Sequence, residues 1–133
     1  GGSTMTSPDE AQRFDKESGV DALAISAGNV HLSTEKTTVI DFDMVRRIEA
    51  VTHSPLVLHG GSGIPPAIRR RLARETRVKK FNIGTELRMA FGAALRKTLA
   101  DDPAAFDRLE LLGNTIAPLK IGAKAVITAL VED

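Results

Sequence analysis

Apolar and polar positions alternate between two periods along this chain. Ala11 and Phe14, with Val20 beyond them, follow the spacing of a helix face. Ser7-Pro8-Asp9-Glu10 supplies a capping serine, a proline at the first helical position and acids in the first turn. Gly19 marks where that helix stops. Val20 to Ala27 is a largely apolar run of strand length without polar alternation, which predicts a strand covered on both faces. Gly28 to Thr38 reads as a polar loop carrying His31. Asp41 to Val51 reads as a helix with Phe42, Val45, Ile48 and Val51 on one stripe. Leu56 to His59 is a second strand, followed by a glycine-rich turn and a basic helix from about Pro65 to Glu75. Val78 to Ile83 is a third strand. Thr85 to Leu99 is a long helix whose Leu87, Phe91, Ala94, Leu95 and Leu99 share a face. Two further helical patterns lie beyond Pro103, with a break expected near Gly113 to Pro118.

Helix and strand patterns in strict alternation predict an α/β fold with parallel strands and right-handed crossovers. Ligands in such folds bind at the carboxyl ends of the strands. Those ends are Gly28-Asn29-Val30-His31, His59-Gly60-Gly61-Ser62 and Asn82-Ile83-Gly84-Thr85. All three are polar and would share one rim, and that convergence predicts a site.

Composition narrows the function classes. The 133 residues suffice for one domain with a core, but not for closing a large barrel. Lys and Arg number 18 against 17 Asp and Glu, so net charge gives no reason to expect a nucleic-acid or acidic partner. The absence of cysteine excludes disulfide frameworks and thiolate-ligated zinc. No apolar run is expected to reach the ~18 residues of a membrane span, and no secretory signal is read at the N-terminus. Residues 1–4 read as an extension foreign to the protein, or a disordered one, ahead of Met5. Residues 5–133 are then the domain.

Three histidines are present: His31, His53 and His59. His31 and His59 fall at strand ends, where imidazoles from neighbouring strands can meet a metal ion, although a stable zinc site wants a third protein ligand. The plainer alternative is a hydrogen-bonded histidine at each strand end. His53 reads as an ordinary loop residue. Gly60, Gly61 and Gly63 around Ser62 could present backbone N–H groups to a phosphate, or could simply form a tight turn. Asn82 and Thr85 could bind substrate oxygens, with helix capping by Thr85 as the alternative. Asp21 and Asp41 lie on the wrong rim and at a helix cap respectively. The cluster Arg69-Arg70-Arg71, Arg74, Arg77, Lys79 and Lys80 could be scanned as a nucleic-acid-binding helix, but a solvated outer helix face accounts for it better.

Five segments together resemble the class II (metal-dependent) fructose- and tagatose-bisphosphate aldolases. They are Ser7-Pro-Asp-Glu-Ala11, Gly19-Val-Asp-Ala-Leu-Ala24, Gly28-Asn-Val-His31, Leu56-Val-Leu-His-Gly-Gly-Ser-Gly63 and Asn82-Ile-Gly-Thr-Glu-Leu-Arg88. The resemblance implies the C-terminal part, about strands six to eight with their helices, of a (β/α)8 TIM barrel. It implies Zn²⁺ as cofactor, with His31 and His59 as two of its ligands. Gly60, Gly61, Ser62, Asn82, Gly84 and Thr85 would hold the dihydroxyacetone phosphate part of a phosphorylated sugar, with Asn82 also at the reacting centre. A cytoplasmic lyase of carbohydrate metabolism (glycolysis) is implied, with no nucleic-acid or membrane partner. Departures accompany the matches: Leu32 and Arg77 stand where the family commonly has glycine. A barrel of this kind needs ~250 residues, and the family's remaining zinc-ligand histidine and its acid/base aspartate have no counterpart here.

Three readings result. The chain is part of an aldolase whose other half lies elsewhere and which is inactive alone, associating with that half or with itself. Or it is a non-catalytic, self-associating remnant. Or, least in keeping with the sequence, it is a basic nucleic-acid-binding module.

Overall fold

Ser7 opens α1 (Pro8–Ser18) through the predicted cap: its hydroxyl accepts from Glu10 N at 3.2 Å, and the Glu10 carboxylate turns back to Ser7. These contacts belong to a computed structural model, which describes residues 5–28 and 39–131. Gly19 ends α1 in the left-handed conformation. The inward face departs from expectation, because Ala11 is buried but Phe14 is 55% exposed, and Asp15 turns inward instead. Polar backbone lies beneath that turn of helix. Asp15 Oδ2 accepts from His53 N at 2.7 Å and Ser54 N at 3.5 Å, anchoring α1 to the segment just ahead of Leu56. Those bonds, with His53 the largest cause, hold the Asp15 carboxyl below its ordinary pKa.

Beyond α1 the elements are β1 (Leu23–Ile25), α2 (Phe42–Val51), β2 (Leu56–Leu58), a 3-10 turn (Gly61–Gly63), α3 (Pro66–Glu75) and β3 (Val78–Phe81). The strands are parallel in the order β1-β2-β3, as the alternation predicts. Only the middle strand is covered on both faces: Leu56, Val57 and Leu58 are all buried, whereas Ala24, Lys79 and Lys80 on the outer strands are exposed. Ile25, Val45, Ile48, Leu56, Leu58, Ile64, Leu72 and Val78 form the centre of one apolar cluster. Burial of each such side chain contributes about 1.5–3 kcal/mol.

Helix ends are tied by side chains. Asp41 Oδ1 accepts from Met44 N at 2.8 Å and starts α2. Arg77, at a position where glycine is the expected residue, closes the other end: its Nη2 donates to Glu49 O at 2.5 Å and Thr52 O at 2.7 Å, and its Nη1 to His53 O at 3.2 Å. Its backbone N–H also donates to the Glu49 carboxylate. A cation thus satisfies the last carbonyls of α2. Lys79 does the same for α3 through Ala73 O and Thr76 O. A bulge places Val57 opposite Lys80 after Leu56 opposite Val78, so Lys79 is the extra residue and the end of β3 is re-aimed.

The chain forms two compact units, the first ending at Ile83 and the second starting at Gly84. The second holds α4 (Thr85–Asp101) and α5 (Arg108–Val131), which pack on each other. Gly122 of α5 lies close to Leu87 and Ala90 of α4. The predicted break near Gly113 to Pro118 is absent, and α5 runs through Pro118 as one helix. A single proline removes one backbone bond and costs about 3 kcal/mol, which the turns on either side and the packing on α4 override. The apolar face predicted for α4 is half-buried at Leu87, Phe91, Ala94 and Leu95 and exposed at Leu99. By length and composition α5 could cross a membrane, which corrects the sequence expectation that no segment qualifies. Lys120, Lys124 and Pro118 interrupt it, and for that reason its apolar character escapes a search for a continuous run.

Candidate active site

Two strand ends of the first unit meet at the rim. Backbone bonds carry the pairing past the strands: Asn82 N donates to Leu58 O at 3.0 Å, and Gly61 N donates to Asn82 O at 3.1 Å. The bulge in β3 sets this register, and it brings the Asn82 side chain to His59, with Nδ2 3.1 Å from Nδ1. Gly61 must be glycine here, because a Cβ would meet Ile83 Cδ1 at 2.8 Å and Asn82 O at 3.2 Å. Gly60 before it has φ of 62°, and the reversal turns the chain from β2 into α3.

The donor accounting narrows the expected phosphate cradle. Gly61 N–H is spent on Asn82 O, Gly63 N–H on Gly60 O at 3.2 Å, and Ile64 N–H on Gly61 O at 3.2 Å. Ser62 is buried in the turn. Gly61 O is also reached by Arg69 Nη1 at 3.4 Å. Arg69 is 1% exposed, so the reading of the whole basic cluster as a solvated helix face is corrected at this position. Its long side chain runs back along α3 beneath the turn. The sequence offers one signal for this: Arg69 is four residues before Ala73 and three before Leu72, on the side of α3 that Leu72 buries. Arg71 is engaged differently, over the Phe42 ring at 4.3 Å and on Glu75 at 3.0 Å. Arg77 and Lys79 of the same cluster cap helices.

Gly84 and Thr85 belong to the second unit. The N-cap of α4 is Gly84, with no side-chain cap, and Thr85 is the first helical residue. Capping by Thr85, the plainer alternative for it, is therefore not realised. His31 lies outside the described residues, as do Asn29, Val30 and Leu32. Gly28, the last described residue before them, has φ of 94°, and a Cβ there would meet Val39 O at 2.6 Å. His53 is an exposed loop residue, as expected.

Among the described residues no three His, Cys, Asp or Glu side chains come together as a metal-ion cage. His59 offers one imidazole, and its Nδ1 is already engaged by Asn82. These residues alone do not fit a zinc centre, which takes three protein ligands with an open position.

The model of class II fructose-bisphosphate aldolases matches residues 1–132. Among solved structures, the YdjI aldolase of Escherichia coli K12 is 30% identical with a TM-score of 0.73, over 96% of this chain and 45% of that one. A candidate fructose-1,6-bisphosphate aldolase from Coccidioides immitis has a TM-score of 0.77 at 20% identity, over 97% of this chain and 44% of that one. The chain thus spans less than half the length of the solved structures it matches, as a partial barrel does. The chain belongs to the class II fructose-bisphosphate aldolase family.

Proposed function

We propose that this chain supplies one side of a ketose-bisphosphate aldolase site and needs the rest of the barrel, from another part of the polypeptide or another chain, for turnover. The observation that carries this reading is the joining of His59 and Asn82 across β2 and β3 at the carboxyl rim. Family membership supports a reversible aldol cleavage yielding dihydroxyacetone phosphate and an aldehyde. Gly60, Gly61, Ser62 and Asn82 line the rim in the first unit, with Gly61 shaping the turn through its missing side chain. Gly84 and Thr85, in the second unit, are assigned to substrate by the family resemblance alone. His31 and His59 would contribute two imidazoles to Zn²⁺, with a third donor from outside the chain. A metal completed by that outside donor would supply electrophilic polarisation of the ketone. Asn82 would hold a substrate oxygen at the reacting carbon. A cytoplasmic setting accords with a phosphorylated sugar substrate.

The test is an assay of the purified chain for dihydroxyacetone phosphate release from fructose and tagatose 1,6-bisphosphates, with Zn²⁺ added. No turnover is expected from the chain alone, because losing a general acid/base costs 10²–10⁴-fold. Turnover that vanishes in His59→Ala would show that the chain suffices, against this reading. A self-associating, non-catalytic role is the second reading. It draws on the exposed Leu109, Ile116 and Ile127 of α5, and a solution mass equal to one chain would count against it.

A further inference from the structure

Arg69 is a cation in a place where a cation is costly. It is 1% exposed, and it stands in the opening turn of α3, at the positive end of the helix dipole. Its Nη1 reaches Gly61 O at 3.4 Å, beneath the turn that joins β2 to α3. A guanidinium stays charged in a folded protein, and with so little water around it that charge is weakly screened. Positive potential therefore extends into Gly60–Gly63.

The same contact aims the turn. Gly61 O accepts from Ile64 N at 3.2 Å as well as from Arg69, so this carbonyl points toward α3. The Gly61–Ser62 peptide is trans, and in a planar trans peptide the N–H lies opposite the C=O. The Ser62 N–H, the positive end of that peptide dipole, thus points away from Arg69. The amides of Gly61, Gly63 and Ile64 are spent on backbone carbonyls. Their number does not make the turn attractive to an oxyanion, whereas a buried charge beneath it does. We propose that Arg69 sets the charge specificity of the rim: it makes the glycine turn favour a doubly charged phosphate group over a singly charged or neutral one. An oxyanion above the turn offsets, in return, the cost of burying the guanidinium. Arg69 acts through Gly61 and through space, with the turn between it and the ligand, so it is a positioning residue. This rests on the reading of the turn as part of the substrate rim.

The experiment titrates the purified chain at pH 8 and follows the amide resonances of Gly60 to Gly63. The probes are inorganic phosphate, mainly a dianion there, and dimethyl phosphate, a monoanion with the same tetrahedral core. Arg69→Met removes the charge at similar length, and Arg69→Lys keeps the charge without the planar fork. Screened Coulomb attraction across the turn predicts affinities in Arg69→Met about tenfold lower for phosphate and about threefold lower for dimethyl phosphate. Arg69→Lys stays near wild type for both. In wild type the ¹⁵N resonances of the Arg69 guanidinium shift on saturation with phosphate, a readout that stands even if the methionine variant does not fold. An arginine that only supports the fold would lower the folded fraction and leave the ratio of the two affinities unchanged, and that result overturns the proposal. Equal losses in the methionine and lysine variants, or guanidinium resonances unmoved while the turn amides shift, overturn it too and leave the rim reading standing. No shift at Gly60 to Gly63 in wild type with either probe overturns the rim reading itself.

Discussion

The two units of this chain use apolar residues in opposite ways. In the first, alternating strands and helices enclose a shared cluster, and Leu58, Ile48 and Leu72 reach zero exposure. In the second, α4 has no buried residue and α5 has only Thr115. A pair of helices has one interface, so each can bury one stripe, whereas α5 carries apolar side chains around much of its circumference. The contrast shows that apolar content alone does not make a core; a third surface is needed. The largest expected effect sharpens this point. Leu58→Ala should destabilise the first unit by about 2–5 kcal/mol, through lost burial and a residual cavity, read as a shift of the urea midpoint. A loss below about 1 kcal/mol would mean the cluster is loosely packed and the two units differ less than their burial suggests.

A smaller effect tests whether the first unit's order also depends on polar ties. Arg77 satisfies carbonyls at Glu49, Thr52 and His53, joining the end of α2 to the start of β3. Arg77→Ala should cost about 1.5–3 kcal/mol, the worth of hydrogen bonds from a charged group. Arg77→Lys should recover only part of this, because an ammonium lacks the planar fork that spans several acceptors. Full recovery in the lysine variant would show that charge near the helix end, rather than the fork, is what matters.

These ties also mark where the sequence is readable. The Ser7 and Asp41 caps, the stop at Gly19 and the three parallel strands are legible because each follows from local chemistry or from period. The carboxyl-end rim is legible for the same reason, and it points to His59 and Asn82. Their contact is not, because it depends on the bulge at Lys79, and a one-residue insertion in a four-residue strand leaves no trace in an apolar pattern. Arg69 escapes because long charged side chains are ordinarily solvated, while its path beneath the glycine turn is a tertiary fact. Pro118 reads as a break because proline's local cost is certain and the packing that overrides it is not local. Spacing assigns Phe14 inward, and Asp15 takes that place because backbone N–H groups in need of an acceptor lie beneath it.

Asp15 gives the next prediction. Its folded-state pKa lies below the ordinary 3.8, so its contribution to stability is present above that value and is lost as pH falls through the folded pKa. Wild-type stability should therefore drop below about pH 4, as followed by urea unfolding between pH 7 and pH 2. Asp15→Asn should cost about 1 kcal/mol at pH 7, the difference between a charged and a neutral acceptor, and should flatten this acid limb. A variant with the same acid slope as wild type would assign the slope to other carboxylates.

The smallest expected change in stability is the most direct probe of the contrast between units. Ile116 is 66% exposed on α5. If the face that carries it is open to water, Ile116→Ala removes side chain that was already solvated, and its effect on unfolding should stay within about 0.5 kcal/mol. A loss of about 2 kcal/mol or more, the scale of a buried isoleucine, would require that the side chain is buried in solution, and in the isolated chain the available cover is a second copy. The loss would then grow with protein concentration, since only the associated state would bury Ile116. Sedimentation of wild type and Ile116→Ala across a hundredfold range of concentration separates the cases. A single species that unfolds identically in both proteins means that α5 presents an uncovered surface. An assembly weakened by the substitution means that the second unit finds in another molecule the third surface that the first unit finds within itself.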